Sequence, residues 1–224
     1  MSRLRTVMSR RTVINRFPFR FQEADVYVKV CGLSRPQDVA AAVGAGADAI
    51  GFVLTPSPRQ VTPAAVRALV AEVPQGTATV AVFRGEPLEE VRRAAAESGV
   101  DTVQLHGSEP PEAFAALRAD GFRLIRAASP GSGAPLESGA YGEDLLIIDS
   151  PSPGSGERWD PAALGGSPAG PWLLAGGLNP DNVAGAVAGL RPWGVDVSSG
   201  VESSRGVKDP ALIERFVTEA AALA

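Results

Sequence analysis

The sequence predicts a single (β/α)8 TIM barrel of the α/β class, in which a closed ring of parallel strands is surrounded by helices. Eight short apolar runs recur along the chain, and most of them end in Gly, Ser, Asp or His and lead into an Ala-rich stretch. The 224 residues fit the about 200 to 250 residues that one barrel domain commonly occupies. Because no break in composition divides the repeat, we expect one domain with one core.

The first four strand and helix units alternate regularly. We expect strands at 26–33, 49–54, 78–83 and 102–106, and helices at 35–45, 63–72, 88–98 and 111–119. Ser34 and Thr62 are the predicted N-caps of the first two helices, since hydroxyl side chains accept hydrogen bonds from the free N–H groups at a helix start. Gly99 and Gly121 are expected to end the third and fourth helices.

The second half of the chain has weaker helices. We expect strands at 123–127, 145–149, 173–175 and 195–198. Residues 129–142 are rich in Gly, Ser and Pro, so the helix after strand five is predicted to be weak or missing. A long Gly- and Pro-containing loop at 150–157 leaves room for only a short helix after strand six. A helix that begins near Pro180 and a closing helix at 210–223 complete the predicted ring.

Residues 1–25 form an Arg-rich stretch with few acidic residues and without the continuous apolar core of a secretory signal. We expect a flexible N-terminal extension there, and we assign the catalytic barrel to 26–224. Its basic residues are Arg3, Arg5, Arg10, Arg11, Arg16 and Arg20.

The bulk composition excludes several classes of partner. A net charge of -4 argues against a nucleic-acid binder, and no apolar run approaches the about 20 residues that span a bilayer. The single cysteine cannot form an internal disulfide, which favours a cytoplasmic location. The single histidine removes the usual multi-His metal sites, so we expect no metal ion. Lysine occurs only at 29 and 208, which makes Lys29 within an apolar strand conspicuous.

Candidate site residues are those at the carboxyl ends of the strands, where barrel enzymes hold their active sites. The loops after strands seven and eight are glycine-rich, and such loops bind phosphate through backbone N–H groups. Simple tight turns are the alternative interpretation of these glycines. The candidates are Cys31, Arg59, His106, Asp149, Gly176, Gly177, Ser198, Ser199 and Gly200.

Cys31 and Asp149 could act as a base and an acid from different sides of a small ligand. Burial would raise the pKa of the Asp149 carboxyl, and the nearby Lys29 charge would lower the pKa of the Cys31 thiol. The alternatives are a buried, inert cysteine and an aspartate that caps its loop. Lys29 and Asp196 should form an ion pair, since strands one and eight are neighbours in a closed barrel. That pair could tune Cys31 or could be purely structural. His106, on the same strand face as Gln104, is expected to be a polar neighbour of the site.

Seven motifs, in order along the chain, resemble the phosphoribosylanthranilate isomerase family of tryptophan biosynthesis. They read Val28-Lys-Val-Cys-Gly-Leu33, Gly46-Ala-Asp-Ala-Ile-Gly-Phe52, Ser57-Pro-Arg59, Val103-Gln-Leu-His-Gly107, Leu146-Ile-Ile-Asp149, Ala175-Gly-Gly-Leu-Asn-Pro180 and Gly194-Val-Asp-Val-Ser-Ser-Gly-Val-Glu202.

The resemblance implies an Amadori rearrangement of N-(5-phosphoribosyl)anthranilate without a cofactor. It makes Cys31 the general base and Asp149 the general acid, and it assigns Arg59 to the anthranilate carboxylate. The phosphate then falls to Gly176, Gly177, Ser199 and Gly200. The only partner implied is the small-molecule substrate, and the chain is expected to be a monomer or a homodimer.

Three stretches depart from the family pattern. Val82-Phe83-Arg84-Gly85 replaces the usual Val-Phe-Val-Asn, which places a cation near the mouth of the barrel. Pro153-Gly-Ser-Gly156 and Trp159-Asp160-Pro161 differ from the usual loop after strand six. Two alternative functions stay open: an isomerase of another phosphorylated aminosugar, against which Cys31 argues, and a non-catalytic or secondary-pathway paralogue.

Overall fold

The computed structural model describes residues 26–150, 164 and 168–223 of the chain. Eight parallel strands close into a barrel in sequential order, so the predicted fold class is confirmed. The predicted N-terminal extension at 1–25 and the altered loop and short helix predicted between 151 and 163 lie outside the described residues. The strands are β1 Tyr27–Cys31, β2 Ala49–Val53, β3 Ala78–Phe83, β4 Thr102–Leu105, β5 Arg123–Ala128, β6 Leu145–Ile148, β7 Trp172–Leu174 and β8 Gly194–Val197.

Helices cover the outside of the ring. Within the described residues, none is long and apolar enough to cross a membrane. After β8 the chain makes a 3-10 turn at Ser199–Val201 and a short antiparallel hairpin, which the sequence patterns did not predict. The helices are α1 Pro36–Gly44, α2 Pro63–Val70, α3 Leu88–Ser98, α4 Pro111–Ala119, α5 Val183–Leu190 and α6 Pro210–Ala221, and the hairpin strands are β9 Glu202–Ser204 and β10 Val207–Lys208.

The helix caps test the local sequence predictions. Thr62 accepts a hydrogen bond from the Ala65 N–H at 3.3 Å, as predicted, and Gly99 ends α3 with a left-handed φ of 71°. The prediction of Ser34 as the first N-cap is wrong. Pro36 is the first helical residue, so Arg35 holds the cap position and its guanidinium binds the Asp38 carboxylate of the first turn instead.

The barrel interior is built mainly from small and β-branched residues, whereas the larger aliphatic side chains pack between the strands and the helices. Tyr27 closes the amino-terminal end of the interior by stacking on Trp193, with ring centroids 4.7 Å apart. Small interior side chains leave space for a layer of polar groups above this floor. Lys29 and Asp196 are cross-strand partners between β1 and β8 and belong to that layer.

No helix lies between β5 and β6, as predicted, and a buried arginine orders the loop that replaces it. Arg126 is on the outer face of β5, opposite to Ile125 and Ala127 of the interior. Its guanidinium donates to the carbonyls of Pro135 and Glu137 and to the Glu143 carboxylate, each at 2.8 Å. These bonds, with the Tyr141 ring beneath the guanidinium, cover the strand where a helix would otherwise pack.

Removal of the Glu143 carboxylate should strongly destabilise the protein. Glu143→Ala leaves the Arg126 guanidinium buried without its counter-charge, and breaking such a pair from one side costs about 3 to 5 kcal/mol. Urea denaturation would measure the free energy of unfolding. The control is Glu97→Ala in the exposed pair with Arg93, which should change stability little. Equal effects of the two substitutions would contradict this role of Arg126 and Glu143.

Candidate active site

The strand ends bring His106 and Asp149 together at the mouth of the barrel. His106 follows β4, Asp149 follows β6, and His106 Nε2 lies 3.5 Å from Asp149 Oδ2. The His106 main-chain N–H donates to the Phe83 carbonyl at 2.9 Å, which continues the ladder between β3 and β4. The two side chains are therefore positioned by rigid strand ends rather than by mobile loops.

Asp149 is a carboxyl group that holds its proton close to neutral pH. Burial raises its pKa to about 6, although a hydrogen bond from the Ser150 N–H, 2.7 Å from Oδ1, acts in the opposite direction. The predicted direction of this shift is confirmed. A carboxyl with this pKa can donate a proton to a reacting oxygen.

His106 is a neutral imidazole at this site. Burial, together with the charges of Arg84 and Lys29, lowers its pKa to about 4. Arg84, the cation that departs from the family pattern after β3, therefore lowers the pKa of His106, the residue that faces Asp149. A neutral ring beside a protonated carboxyl can exchange hydrogen bonds with a polar ligand without carrying a charge of its own.

Lys29 and Asp196 form the ion pair that was predicted across the seam between β1 and β8. The Lys29 Nζ lies 2.8 Å from Asp196 Oδ1, and the Lys29 side chain is fully buried. The expectation that Lys29 lowers the pKa of Cys31 below its ordinary value is wrong. Burial raises that pKa by more than the Lys29 charge lowers it, so Cys31 is a thiol in the ligand-free protein.

Gly51 provides the space that Cys31 needs. It is the cross-strand partner of Cys31 on β2, and a Cβ atom at this position would lie 2.9 Å from Cys31 Sγ and 3.4 Å from Lys29 Nζ. A side chain at this position would therefore push the sulfur out of place. Sequence reasoning placed Gly51 in a motif but missed this role, because cross-strand register is not visible in one sequence.

The glycine-rich loops after β7 and β8 touch one another. A Cβ on Gly200 would lie 1.8 Å from the Leu178 carbonyl oxygen, so only glycine permits this contact. Gly176 and Gly177 have φ angles of 87° and 67°, which favour glycine. Ser199 and Gly200 lie in the 3-10 turn, so the four predicted phosphate residues belong to two adjoining loops.

Asn182 braces the loop after β7. Its Nδ2 donates to the Gly177 carbonyl at 2.8 Å, and its Oδ1 accepts from the Asn179 N–H at 2.8 Å. A Cβ on Gly176 would collide with the Ser150 nitrogen at 2.6 Å and with Asp149 Oδ1 at 2.9 Å. The glycine loop is therefore packed directly against the residue predicted to be the acid.

Arg59 is held by two residues whose roles the sequence did not reveal. Its Nε and Nη2 donate to the two carboxylate oxygens of Glu202 at 2.6 and 3.1 Å. The same carboxylate accepts from Lys208 Nζ at 2.9 Å. Burial would raise the pKa of Glu202, but these hydrogen bonds outweigh it and lower that pKa to about 2. The rarity of lysine was the only signal that could have identified Lys208.

Three buried polar atoms in the described part of the chain are without a hydrogen-bond partner near this mouth. They are Gln104 Oε1, His106 Nε2 and Ser150 Oγ. Buried polar atoms are normally satisfied, so the unsatisfied atoms of His106 and Ser150, which adjoin Asp149, are available to a polar ligand.

The chain matches one protein-family model and many known proteins. The model is that of N-(5'-phosphoribosyl)anthranilate isomerase, and it matches residues 28–219. The N-(5'-phosphoribosyl)anthranilate isomerase of Symbiobacterium thermophilum is 45% identical over 222 residues, covering 89% of this chain and 100% of the relative.

Solved structures give the same result. The crystal structure of TrpF from Jonesia denitrificans aligns with a TM-score of 0.81 and 48% identity, covering 88% of this chain and 98% of that chain. A phosphoribosyl anthranilate isomerase in complex with reduced 1-(o-carboxyphenylamino)-1-deoxyribulose 5-phosphate aligns with a TM-score of 0.75 and 33% identity, covering 88% and 100%.

The raised pKa of Asp149 should appear in the stability of the protein. The folded state binds the Asp149 proton more tightly than the unfolded chain, in which the pKa of an aspartate is about 3.9. Below about pH 3.9 this tighter binding contributes fully to the free energy of unfolding. The contribution is lost as the pH rises through about 6, the pKa of Asp149 in the folded state. Asp149→Asn should therefore be more stable than the wild type at about pH 7.5, by about 1 to 3 kcal/mol, and this gain should shrink towards about pH 4.5. Urea unfolding at the two pH values measures it.

Asp120→Asn is the control for that experiment. Arg92 lowers the pKa of the exposed Asp120 carboxyl by hydrogen bonding, so this substitution should not stabilise the protein at either pH. An Asp149→Asn variant that is less stable than the wild type at about pH 7.5 would contradict the raised pKa.

Proposed function

The chain belongs to the N-(5'-phosphoribosyl)anthranilate isomerase family, and we propose that it converts N-(5-phosphoribosyl)anthranilate into 1-(2-carboxyphenylamino)-1-deoxyribulose 5-phosphate in tryptophan biosynthesis. The observation that carries this proposal is a carboxyl with a pKa of about 6 in the same barrel mouth as a buried thiol. An Amadori rearrangement needs one group that gives a proton and another that removes one.

In the first step Asp149 donates its proton to the ring oxygen of the ribose. The bond between that oxygen and C1 breaks, and the nitrogen lone pair forms a C1=N bond, so the ring opens to a cationic imine. The unpartnered Nε2 of His106, beside Asp149, is available to contact the substrate in this step. Burial supports the acid role, because the raised pKa of about 6 keeps a fraction of the Asp149 carboxyl protonated near neutral pH, able to donate to a basic oxygen.

In the second step the Cys31 thiolate removes the proton from C2. The C–H electrons form a C1=C2 double bond, and the C1=N π electrons return to the nitrogen, which becomes neutral. This enaminol then takes a proton at C1 and loses one from its C2 hydroxyl, which gives the ketone and restores both protein groups. Lys29, paired with Asp196, provides positive charge for the thiolate. The proton transfers balance without a metal ion or an organic cofactor, so we propose neither.

We assign the two charged ends of the substrate to different loops at the mouth. Backbone N–H groups of the loops that hold Gly176, Gly177, Ser199 and Gly200 bind the phosphate, and the contact between these loops supports a single binding site. Arg59 binds the anthranilate carboxylate. We also propose a cytoplasmic location, because Cys31 must remain a free thiol to act as a base.

Loss of either proposed proton-transfer group should nearly abolish turnover. We expect Cys31→Ala and Asp149→Asn each to lower kcat by about 10² to 10⁴, the usual contribution of general acid/base catalysis. The assay follows the loss of substrate fluorescence, with the substrate generated in place and any metal needed by the generating enzyme chelated beforehand. Circular dichroism shows whether each variant is folded. A folded variant with nearly wild-type kcat would remove that residue from the mechanism.

The pH dependence of kcat should have its acidic midpoint near 6. The working state needs Cys31 ionised and Asp149 protonated, but the pKa of Asp149, about 6, lies below the raised pKa of Cys31. Between these values, the gain of thiolate balances the loss of protonated acid as the pH rises, so kcat stays level. Below about pH 6 Asp149 is already protonated, only thiolate is lost, and kcat should fall about tenfold per pH unit.

This profile is measured as kcat at saturating substrate, because the second pKa of a phosphate monoester, about 6, would also affect kcat/KM. The fold is monitored at each pH. A kcat that instead begins to fall as the pH rises through about 6 would contradict the proposed order of the two pKa values.

A further inference from the structure

Three buried charged side chains form a cluster beside the mouth of the barrel. The side chains of Arg59, Glu202 and Lys208 are 12%, 5% and 0% exposed. The Glu202 carboxylate accepts two hydrogen bonds from Arg59, one from Lys208 and one from the Gly206 N–H at 3.0 Å. A carboxylate with this many donors is fixed in position and in orientation.

The cluster connects the loop that carries Arg59 with the end of β8, beside the loop proposed to bind phosphate. Arg59 belongs to the loop after β2. Lys208 Nζ donates to Glu202, and it also donates to the Ser198 carbonyl at 2.7 Å, next to the predicted phosphate loop. The position of the guanidinium is thereby tied to the end of β8.

Two glycines allow this close packing. Gly206, at the tip of the β9–β10 hairpin, has a φ of 84°, and a Cβ there would lie 2.6 Å from the Pro58 carbonyl oxygen. A Cβ on Gly32 would lie 2.8 Å from Arg59 Cδ. The hairpin therefore packs on the residue that precedes Arg59, and the end of β1 packs on the Arg59 side chain itself.

The charges and the geometry leave Arg59 able to bind an anion. Two cations share one carboxylate, so Lys208 offsets Glu202 and the positive charge of Arg59 is not cancelled. Glu202 occupies the Nε and Nη2 edge of the guanidinium, so the edge that includes Nη1 faces away from it. An arginine whose orientation is already fixed loses less conformational entropy when a carboxylate binds.

We propose that Glu202 is a positioning residue, which holds the guanidinium of Arg59 in the orientation that receives the substrate carboxylate, with Lys208 fixing Glu202 relative to the phosphate loop. This inference rests on the proposed function, in which Arg59 binds anthranilate and the loops after β7 and β8 bind phosphate.

Glu202→Gln tests the proposal. Glutamine has the same size but loses the charge and one of the two acceptor oxygens, so Arg59 is no longer held at both nitrogens. We expect KM, and the inhibition constant of anthranilate, each to rise about tenfold, the effect of losing a charge-assisted hydrogen bond. The kcat value and the inhibition constant of inorganic phosphate should stay within about twofold, which a general loss of structure would not allow.

Glu143→Gln is the matched control, since it removes the charge of another buried glutamate paired with an arginine, away from the strand ends that carry the site. It should lower the thermal midpoint without changing KM or either inhibition constant. If Glu202→Gln does not fold, Glu202→Asp keeps the charge but shortens its reach, and it should weaken anthranilate selectively by a smaller factor.

Unchanged anthranilate affinity in the folded Glu202 variants would overturn the inference. A lower KM would also overturn it, because Glu202 would then compete with the substrate for Arg59. Arg59→Ala, measured in parallel, separates the two proposals. If Arg59→Ala leaves the affinity for anthranilate unchanged, the assignment of Arg59 itself fails. If Arg59→Ala weakens anthranilate and the Glu202 variants do not, only the positioning role fails.

Discussion

The buried ammonium group of Lys29 is the constraint on which the site depends. A buried charge without a partner costs several kcal/mol, and Asp196 supplies the partner from the strand that closes the ring. Formation of the pair therefore requires β1 and β8 to meet in one register. Gly51, the cross-strand partner of Cys31, leaves room beside the pair for the sulfur of Cys31. Because Cys31 lies on the same strand as Lys29, the register that closes the ring also sets the position of the proposed base.

Burial decides the ionisation state of the mouth more strongly than any single charge does. It raises the pKa of both Asp149 and Cys31 and lowers that of His106, so all three are biased towards their neutral forms. From the sequence alone, Lys29 suggested that Cys31 has a lowered pKa. That expectation was wrong because the sequence shows a neighbouring charge but does not show how deeply the sulfur is buried. The ligand-free protein therefore holds a neutral thiol and a neutral imidazole, together with a carboxyl that is fully protonated only below about pH 6.

Structural features that depend on local sequence patterns could be predicted from the sequence. Contacts between loops that are distant in the sequence could not. The alternation of strands and helices, the Thr62 cap and the absence of a helix between β5 and β6 all follow from local patterns. The pairing of Lys29 with Asp196 also followed, because a closed ring makes its first and last strands neighbours. The partnership of Arg59 with Glu202 joins residues 143 positions apart and has no periodic signal. The same limit hid the role of Arg126, whose partners lie in a loop without repeating pattern.

The two buried arginine–glutamate pairs differ in net charge, and this difference distinguishes a structural contact from one that faces a ligand. Arg126 and Glu143 balance one another, and Arg126 also donates to two main-chain carbonyls, so the pair orders a loop. The Glu202 carboxylate pairs with two cations, Arg59 and Lys208. Two positive charges and one negative charge leave an excess of one positive charge in a nearly enclosed cluster. Burying such an excess is unfavourable unless an anion approaches it. The excess cation therefore distinguishes the cluster at the mouth from the neutral pair on the outer face of the barrel.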